Sequence, residues 1–258
     1  MNRNCYRLVF NTTSGMMVPV AEIARRSGKA GQSRAASGTA LALAGVYTAL
    51  AYSRVVHDLP SIETLPALLE PPDGRLLQPT RLYDRSGQNL LYSLESPGIP
   101  RRFLPANPDE PGAFDPQLIQ YTVSMLDPSF WRHPGFLWQS LLEPEPQTIA
   151  ETLVQSLLLE NEPPGLRRSL RMRLLAAQVV HQYGRGTVLE WYLNSQSFGH
   201  LAYGADAAAR LYLDQSAADL TLAEVALLLA VREAPALNPL DAPAAALENQ
   251  RDILRRLY

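Results

Sequence analysis

VLEWYLN occupies residues 188–194 and is the stretch of sequence that decides the fold. Thr187 precedes it, and Glu190 follows that threonine by three residues, a pattern typical of a capping box at the start of a helix. Thr221 and Glu224 repeat the pattern further along the chain. Around these two starts the sequence reads FG at 198–199, AYGADAAARLY at 202–212, LTLAEVALL at 220–228, AP at 234–235 and NP at 238–239. These patterns predict a helical C-terminal half.

Helical patterns continue upstream of this stretch. Asp115 is a good N-cap for a helix that Pro128 would stop, and Gly184 is a suitable residue to follow a helix end. The further segments predicted to be helical are about 115–125, 148–159 and 166–183. No heptad run and no internal repeat accompanies them, so the domain is predicted to be mainly α.

Two shorter segments precede the helices. Leucine and tyrosine residues flank a turn at Asp84-Arg85-Ser86-Gly87, which predicts a β-hairpin over about Thr80–Leu94. Residues 57–79 hold five prolines. That composition predicts an extended, semi-rigid spacer.

The N-terminal region combines a basic tail with an uncharged stretch. Residues 1–34 carry six basic side chains against one acid, Glu22, and residues 35–53 carry no charge over 19 positions. That length is just enough to cross a bilayer as a helix. We therefore predict a cytoplasmic tail at 1–34 and a single transmembrane anchor at 35–56, with the rest of the chain outside. A buried soluble helix and a cleaved signal peptide are the alternatives.

Composition excludes several classes of function. The net charge of −2 argues against nucleic acid as a partner. Cys5 is the single cysteine, so no disulfide can form within the chain. The only lysine is Lys29, and Arg26 stands three residues before it. The Ser-x-x-Lys motif of an acyl-serine transpeptidase or β-lactamase is therefore absent.

An upstream block completes a recognisable set. LDPSFWRHPGF at residues 126–136 resembles EDxxFxxHxGF, and VLEWYLN resembles ILExYLN. EDxxFxxHxGF is the first conserved motif of the peptidoglycan glycosyltransferase domain (glycosyltransferase family 51) of class A penicillin-binding proteins, and ILExYLN is a later one. In their order and spacing, the blocks from about residue 59 to the end resemble that family. The resemblance implies a lysozyme-like α domain over 80–258 with a short β-hairpin, preceded by one transmembrane helix.

The resemblance also implies a chemistry whose residues are missing. In the family a glutamate acts as general base, so that the acceptor 4-hydroxyl attacks the anomeric carbon of lipid II and undecaprenyl pyrophosphate leaves. Leu126 stands at that glutamate's position, and Met172 stands at the position of a second essential glutamate. Leucine cannot accept a proton, and the neighbouring Asp127 is only a weak substitute. A motif lysine is replaced by Gln155.

Several retained residues are candidates for binding substrate. They are His133, Thr148, Arg168, Arg171 and Asn194. The arginines belong to a cluster, residues 167–173, which would either meet a pyrophosphate or lipid headgroups or form a solvated helix face. The resemblance also implies a possible divalent metal such as Mg²⁺ beside the leaving group.

The sequence thus predicts a membrane-anchored relative of the glycosyltransferases that is impaired in catalysis. Such a protein would bind lipid II, a glycan strand or other cell-wall synthesis proteins. The alternatives are an active peptidoglycan glycosyltransferase with a rearranged site, using Asp127 or Glu151, and a structural domain or gene fragment. An open groove would favour binding, whereas a groove filled by side chains would favour a structural role.

Overall fold

The computed structural model describes residues 6–11, 16–21, 47–50, 52–72, 74–94, 99 and 101–257. It divides into two units, 1–54 and 55–258. In the first unit, β1 (Tyr6–Asn11) pairs antiparallel with β2 (Met16–Ala21), and Tyr6 lies opposite Ala21. The basic composition of the tail did not predict this hairpin.

The predicted transmembrane segment, 35–56, lies largely outside the described residues, since only 47–50 and 52–56 are described and helical. Within the described part of the chain, no helix has the length and apolar character needed to cross a bilayer.

The second unit is mainly helical, as predicted. Its short elements are α1 (Leu65–Leu69), the strands β3 (Thr80–Tyr83) and β4 (Leu90–Leu94), and 3₁₀ turns at Ile62–Thr64, Arg75–Leu77 and Trp138–Ser140. Its longer helices are α2 (Pro116–Leu126), α3 (Ile149–Leu158), α4 (Leu166–Ser195), α5 (Ala205–Leu213), α6 (Leu222–Glu233) and α7 (Pro243–Leu257). The antiparallel β3–β4 hairpin confirms the prediction over 80–94.

Local capping signals fix where the helices begin. Asp115 accepts from the backbone N–H of Gln117 at 2.8 Å, and Thr148 accepts from the N–H of Glu151 at 3.1 Å. The predicted capping box of Thr221 and Glu224 is present in full. Each of these caps satisfies N–H groups that have no partner within the helix.

The proline-rich segment differs from the expected extended spacer. Leu65 and Leu69 of α1 are fully buried in the core of the domain, and Tyr183 donates its hydroxyl hydrogen to the carbonyl of Ile62 at 3.2 Å. Pro66 does not prevent α1 from forming, because it stands in the first turn of the helix, where proline is tolerated. The prediction of an extended chain over 57–79 is therefore wrong for residues 62–69 and 75–77.

Helix α4 is the centre of the domain, and Gly184 interrupts it. Gly184 takes φ +79° and ψ +162°, which confirms the predicted break. The helix resumes directly after this residue, so the capping box predicted at Thr187 is not formed. The carboxylate of Glu190 instead accepts from the N–H of Ala106 at 2.8 Å. VLEWYLN forms the last turns of α4, where Trp191 is completely buried.

Candidate substrate groove

A groove of about 600 Å³ opens between the β3–β4 hairpin and the helices. Thr80 and Leu94 line it from the hairpin, while Ser156 and Glu160 line it from α3 and the residues that follow. Residues 194–197, at the end of α4, form another wall. The hairpin and the end of the VLEWYLN helix thus enclose a space that side chains leave open.

Among the described residues that line the groove, arginines outnumber carboxylates. Arg101 and Arg232 line it, and among the described lining residues Glu160 is the one carboxylate. Arg101 lies 4.4 Å from the ring centroid of Tyr203 and donates to the carbonyl of Leu76 at 2.9 Å. These contacts attach the loop that carries Tyr203 to the segment before the hairpin.

The side chain of Leu126 does not line the groove but a narrow cavity of about 10 Å³ behind it. Leu118 and Phe198 are among the apolar residues around this cavity. Gln196 and Arg232 line both the cavity and the groove. The position expected for a general base therefore holds an alkyl group that cannot exchange a proton.

The carboxylate of Asp127 is part of a buried chain of hydrogen bonds. His133 accepts from the N–H of Gly135 at its Nδ1, 3.0 Å away, so its Nε2 carries the proton and donates to Asp127. The same carboxylate accepts from the N–H of Ile149 at 3.3 Å. Thr148 donates to the carbonyl of Gly135 at 2.7 Å. The chain joins the end of α2 to the start of α3.

Glu151 is also inaccessible. Its side chain is fully buried, accepts from the N–H of Gln147 at 2.7 Å and lies 3.7 Å from the Nε of Arg173. Burial raises the pKa of Glu151, and the Gln147 N–H and the Arg173 charge oppose that rise only in part. This carboxylate reaches neither the groove nor solvent.

The arginine cluster at 167–173 does not line the groove. Arg167 and Arg171 both pair with Glu162, at 3.5 Å and 2.9 Å, and Arg171 also donates to the carbonyl of Asp58. Arg173 is buried and donates to the carbonyls of Ser140 and Glu143. The expectation of a solvated helix face is therefore wrong for Arg171 and Arg173.

The structure separates the predicted binding residues into three places. Asp127, His133 and Thr148 are brought together in the buried chain. Arg171 lies in its ion pair, with Arg168 partly exposed on the same helix. Asn194 is the one that lines the groove, although its amide already bonds the backbone N–H and carbonyl of Leu104 at 2.9 and 2.8 Å.

Sequence reasoning missed three groove residues, Arg101, Arg232 and Glu160. They come from separate segments, and no motif at their positions marked them. Met172, where a second glutamate was expected, is buried in the core.

A divalent cation does not find a ready site here. In the part of the chain that the structure describes, no three His, Cys, Asp or Glu side chains come together as metal ligands. Magnesium prefers several oxygen ligands, and among the described lining residues of the groove the carboxylate of Glu160 would have to be supplemented by oxygens of a substrate. The described residues therefore do not fit a protein-held Mg²⁺ site.

Comparisons with known proteins agree with this architecture. The family model described as Transglycosylase matches residues 110–258, and one described as Extended Signal Peptide of Type V secretion system matches residues 1–51. The chain is 31% identical over 221 residues to penicillin-binding protein 1A of Rickettsia prowazekii, covering 78% of this chain and 26% of that protein. It is 30% identical over 235 residues to penicillin-binding protein 1A of Aquifex aeolicus, covering 84% of this chain and 30% of that protein.

The chain belongs to the transglycosylase family, because the family model covers more than half of it. The similarity to penicillin-binding protein 1A supports a glycosyltransferase domain of the class A penicillin-binding protein type. The chain spans about a quarter to a third of the length of these relatives.

Proposed function

We propose that this domain binds lipid II or a nascent glycan strand in the groove without polymerising it, and so acts as a non-catalytic partner in cell-wall synthesis. One observation carries the proposal: Leu126 stands at the position of the general base, and the adjacent Asp127 carboxylate is buried and held by His133 and Ile149. Deprotonation of an acceptor hydroxyl requires a carboxylate within hydrogen-bond reach of it.

The open groove supports binding over a purely structural role. A space of about 600 Å³ is comparable to known ligand sites, and it mixes apolar walls with amide and hydroxyl groups. Sugars need such polar groups, and Ser195 and Ser197 supply hydroxyls along one edge, next to Asn194, whose amide is already bonded to backbone groups.

A rearranged active site remains the second candidate, and Glu160 is the observation that favours it. Both carboxylates first considered for that role, Asp127 and Glu151, are buried and already bonded. Glu160 is exposed and lines the groove. A displaced base would therefore be Glu160, and Glu160→Gln would abolish any polymerisation that the protein performs.

We also propose that the domain works at the outer face of the cell membrane. The uncharged stretch at 35–53 and the match of residues 1–51 to an extended signal peptide support export. The hairpin adds a second argument, since Leu82, Leu91 and Tyr92 are about half exposed or more. An apolar surface of this kind fits the interface of a bilayer.

Retention of fluorescent lipid II on the full-length protein in detergent tests the binding proposal. Ser156 lines the groove, whereas Ser124 is another exposed helix serine that does not line it, and each donates to the carbonyl three residues earlier. Ser156→Trp should reduce retention at least tenfold, while Ser124→Trp should leave it unchanged. Equal retention by both variants, or none by the wild type, would overturn binding in this groove.

A further inference from the structure

Arg232 occupies the boundary between the groove and the cavity beside Leu126. It projects from α6 and lines both spaces, as does Gln196. A ligand in the groove can therefore meet Arg232 next to the position from which a catalytic carboxylate is missing.

The charge of Arg232 is not neutralised within the described protein. No ion pair joins it to a carboxylate in the ranges that the structure describes. Its guanidinium carbon lies 5.5 Å from the ring centroid of Tyr192, and its Nε is buried without a hydrogen-bond partner. Arg232 is partly buried, and a contact with an aromatic ring offsets only part of the cost of desolvating a cation, so this site favours an added anion.

Neighbouring groups extend the donor character of the site. Nε2 of Gln196 is likewise buried without a hydrogen-bond partner in the described chain. The hydroxyl of Tyr192 is neutral near pH 7, as in any tyrosine, and burial raises its pKa further, to about 12, although the Arg232 charge opposes the rise. An arginine beside an amide N–H₂ matches an acceptor with several oxygens.

The arginines of residues 167–173 are less suited than Arg232 to bind an anion in the groove. Arg167 and Arg171 already share the carboxylate of Glu162, and Arg173 is buried among backbone carbonyls. Arg232 differs from them because it meets the groove without a paired carboxylate.

We propose that Arg232, assisted by Gln196, forms an oxyanion-binding site at the floor of the groove. The site takes a phosphate or carboxylate group of the bound ligand, and it makes the groove select anionic over neutral glycans. The inference rests on the proposed function, since it concerns the same groove, but it names a residue and a chemistry that can be tested without lipid II.

Calorimetric titration of the full-length protein in detergent provides the test, with inorganic pyrophosphate, acetate and a neutral N-acetylglucosamine oligomer at matched ionic strength. We expect Arg232→Gln to weaken anion binding at least tenfold and Arg232→Lys to weaken it less. Arg256→Gln is the matched control, since Arg256 is an exposed arginine that pairs with Glu233. Arg168→Gln tests the separate arginine cluster. Neither control should change anion affinity.

The titrations separate the possible outcomes. Tighter binding of pyrophosphate than acetate assigns the site to phosphate, and the reverse assigns it to carboxylate. Unchanged affinity in Arg232→Gln, an equal loss in Arg256→Gln, a loss confined to Arg168→Gln, or binding of the neutral oligomer alone would each overturn the proposal. Lipid II retention is measured separately. If the protein retains lipid II but anion binding does not depend on Arg232, this inference alone is wrong. If anion binding depends on Arg232 but lipid II is not retained, the proposed function alone is wrong.

Discussion

Nε2 of His133 lies 2.9 Å from each carboxylate oxygen of Asp127, and both side chains are buried. Because Nδ1 of the same ring accepts from the N–H of Gly135, the imidazole is held at both nitrogens. The carboxylate also reaches the first residue of α3, Ile149. The retained acid of the first motif thus connects two helices, is buried and is not among the residues that line the groove.

The first prediction concerns this pair. His133→Ala leaves a buried carboxylate with only the Ile149 N–H, so we expect the free energy of unfolding to fall by about 3 kcal/mol. His181→Ala, at an exposed position of α4, should change it by less than about 0.5 kcal/mol. Chemical unfolding of the full-length protein followed by circular dichroism measures both, and equal stabilities for the two variants would contradict a structural role for the pair.

The second prediction compares two glycines with positive φ. Gly135 has φ +113°, and an added Cβ would lie 2.6 Å from the carbonyl oxygen of Ala176. Gly135→Ala should therefore lower the free energy of unfolding by about 3 kcal/mol or more and disturb the His133 and Thr148 bonds. Gly87 in the hairpin turn has φ +73° and open space around it, so Gly87→Ala should cost only about 1 kcal/mol. A smaller loss at Gly135 than at Gly87 would refute the close packing of α4 against this loop.

The third prediction uses two glutamates whose pKa values move in opposite directions. Burial raises the pKa of Glu151 above 4.5, so the folded protein binds its proton more tightly and its stability falls as pH rises from 4.5 through the raised value. Glu151→Gln should therefore gain stability relative to wild type as pH rises through that window.

Glu224 supplies the matched control for the pH series. Hydrogen bonds from Thr221 lower the pKa of Glu224 below 4.5, so its contribution is present above 4.5 and is lost as pH falls through the lowered value. Glu224→Gln should lose stability relative to wild type as pH rises through that lower window. Thermal unfolding between pH 3 and 8 measures both differences, and slopes of the same sign would show that one assignment is wrong.

Local signals predicted much of the helical framework. The side chains of Asp115, Thr148 and Thr221 each accept from a backbone N–H only two or three residues further along, so both partners of the cap lie in one short stretch of sequence. The helix break at Gly184 could be predicted because glycine is the residue that most readily adopts the positive φ found there. The start at Thr187 was misjudged because Glu190 finds a distant partner, the N–H of Ala106, in place of the local one.

The candidate site was harder to predict because its residues meet only in the folded chain. Arg171 and Arg173 looked exposed in a polar run, yet the first pairs with Glu162 and the second with carbonyls of the preceding loop. Arg101 and Arg232 are separated by more than half the chain and share one groove. Leu65 and Leu69 were hidden among prolines that suggested an extended spacer.

The most direct test of the account is lipid II polymerisation by the purified full-length protein in detergent, beside Leu126→Glu and an active family member. We expect no glycan strands from the wild type, because no carboxylate stands at position 126 and Asp127 is held by His133. Leu126→Glu should also give no strands, since Met172 and Gln155 still stand where the family has a second essential glutamate and a motif lysine. Glycan strands made by the wild-type protein would contradict the central claim and would direct attention to Glu160.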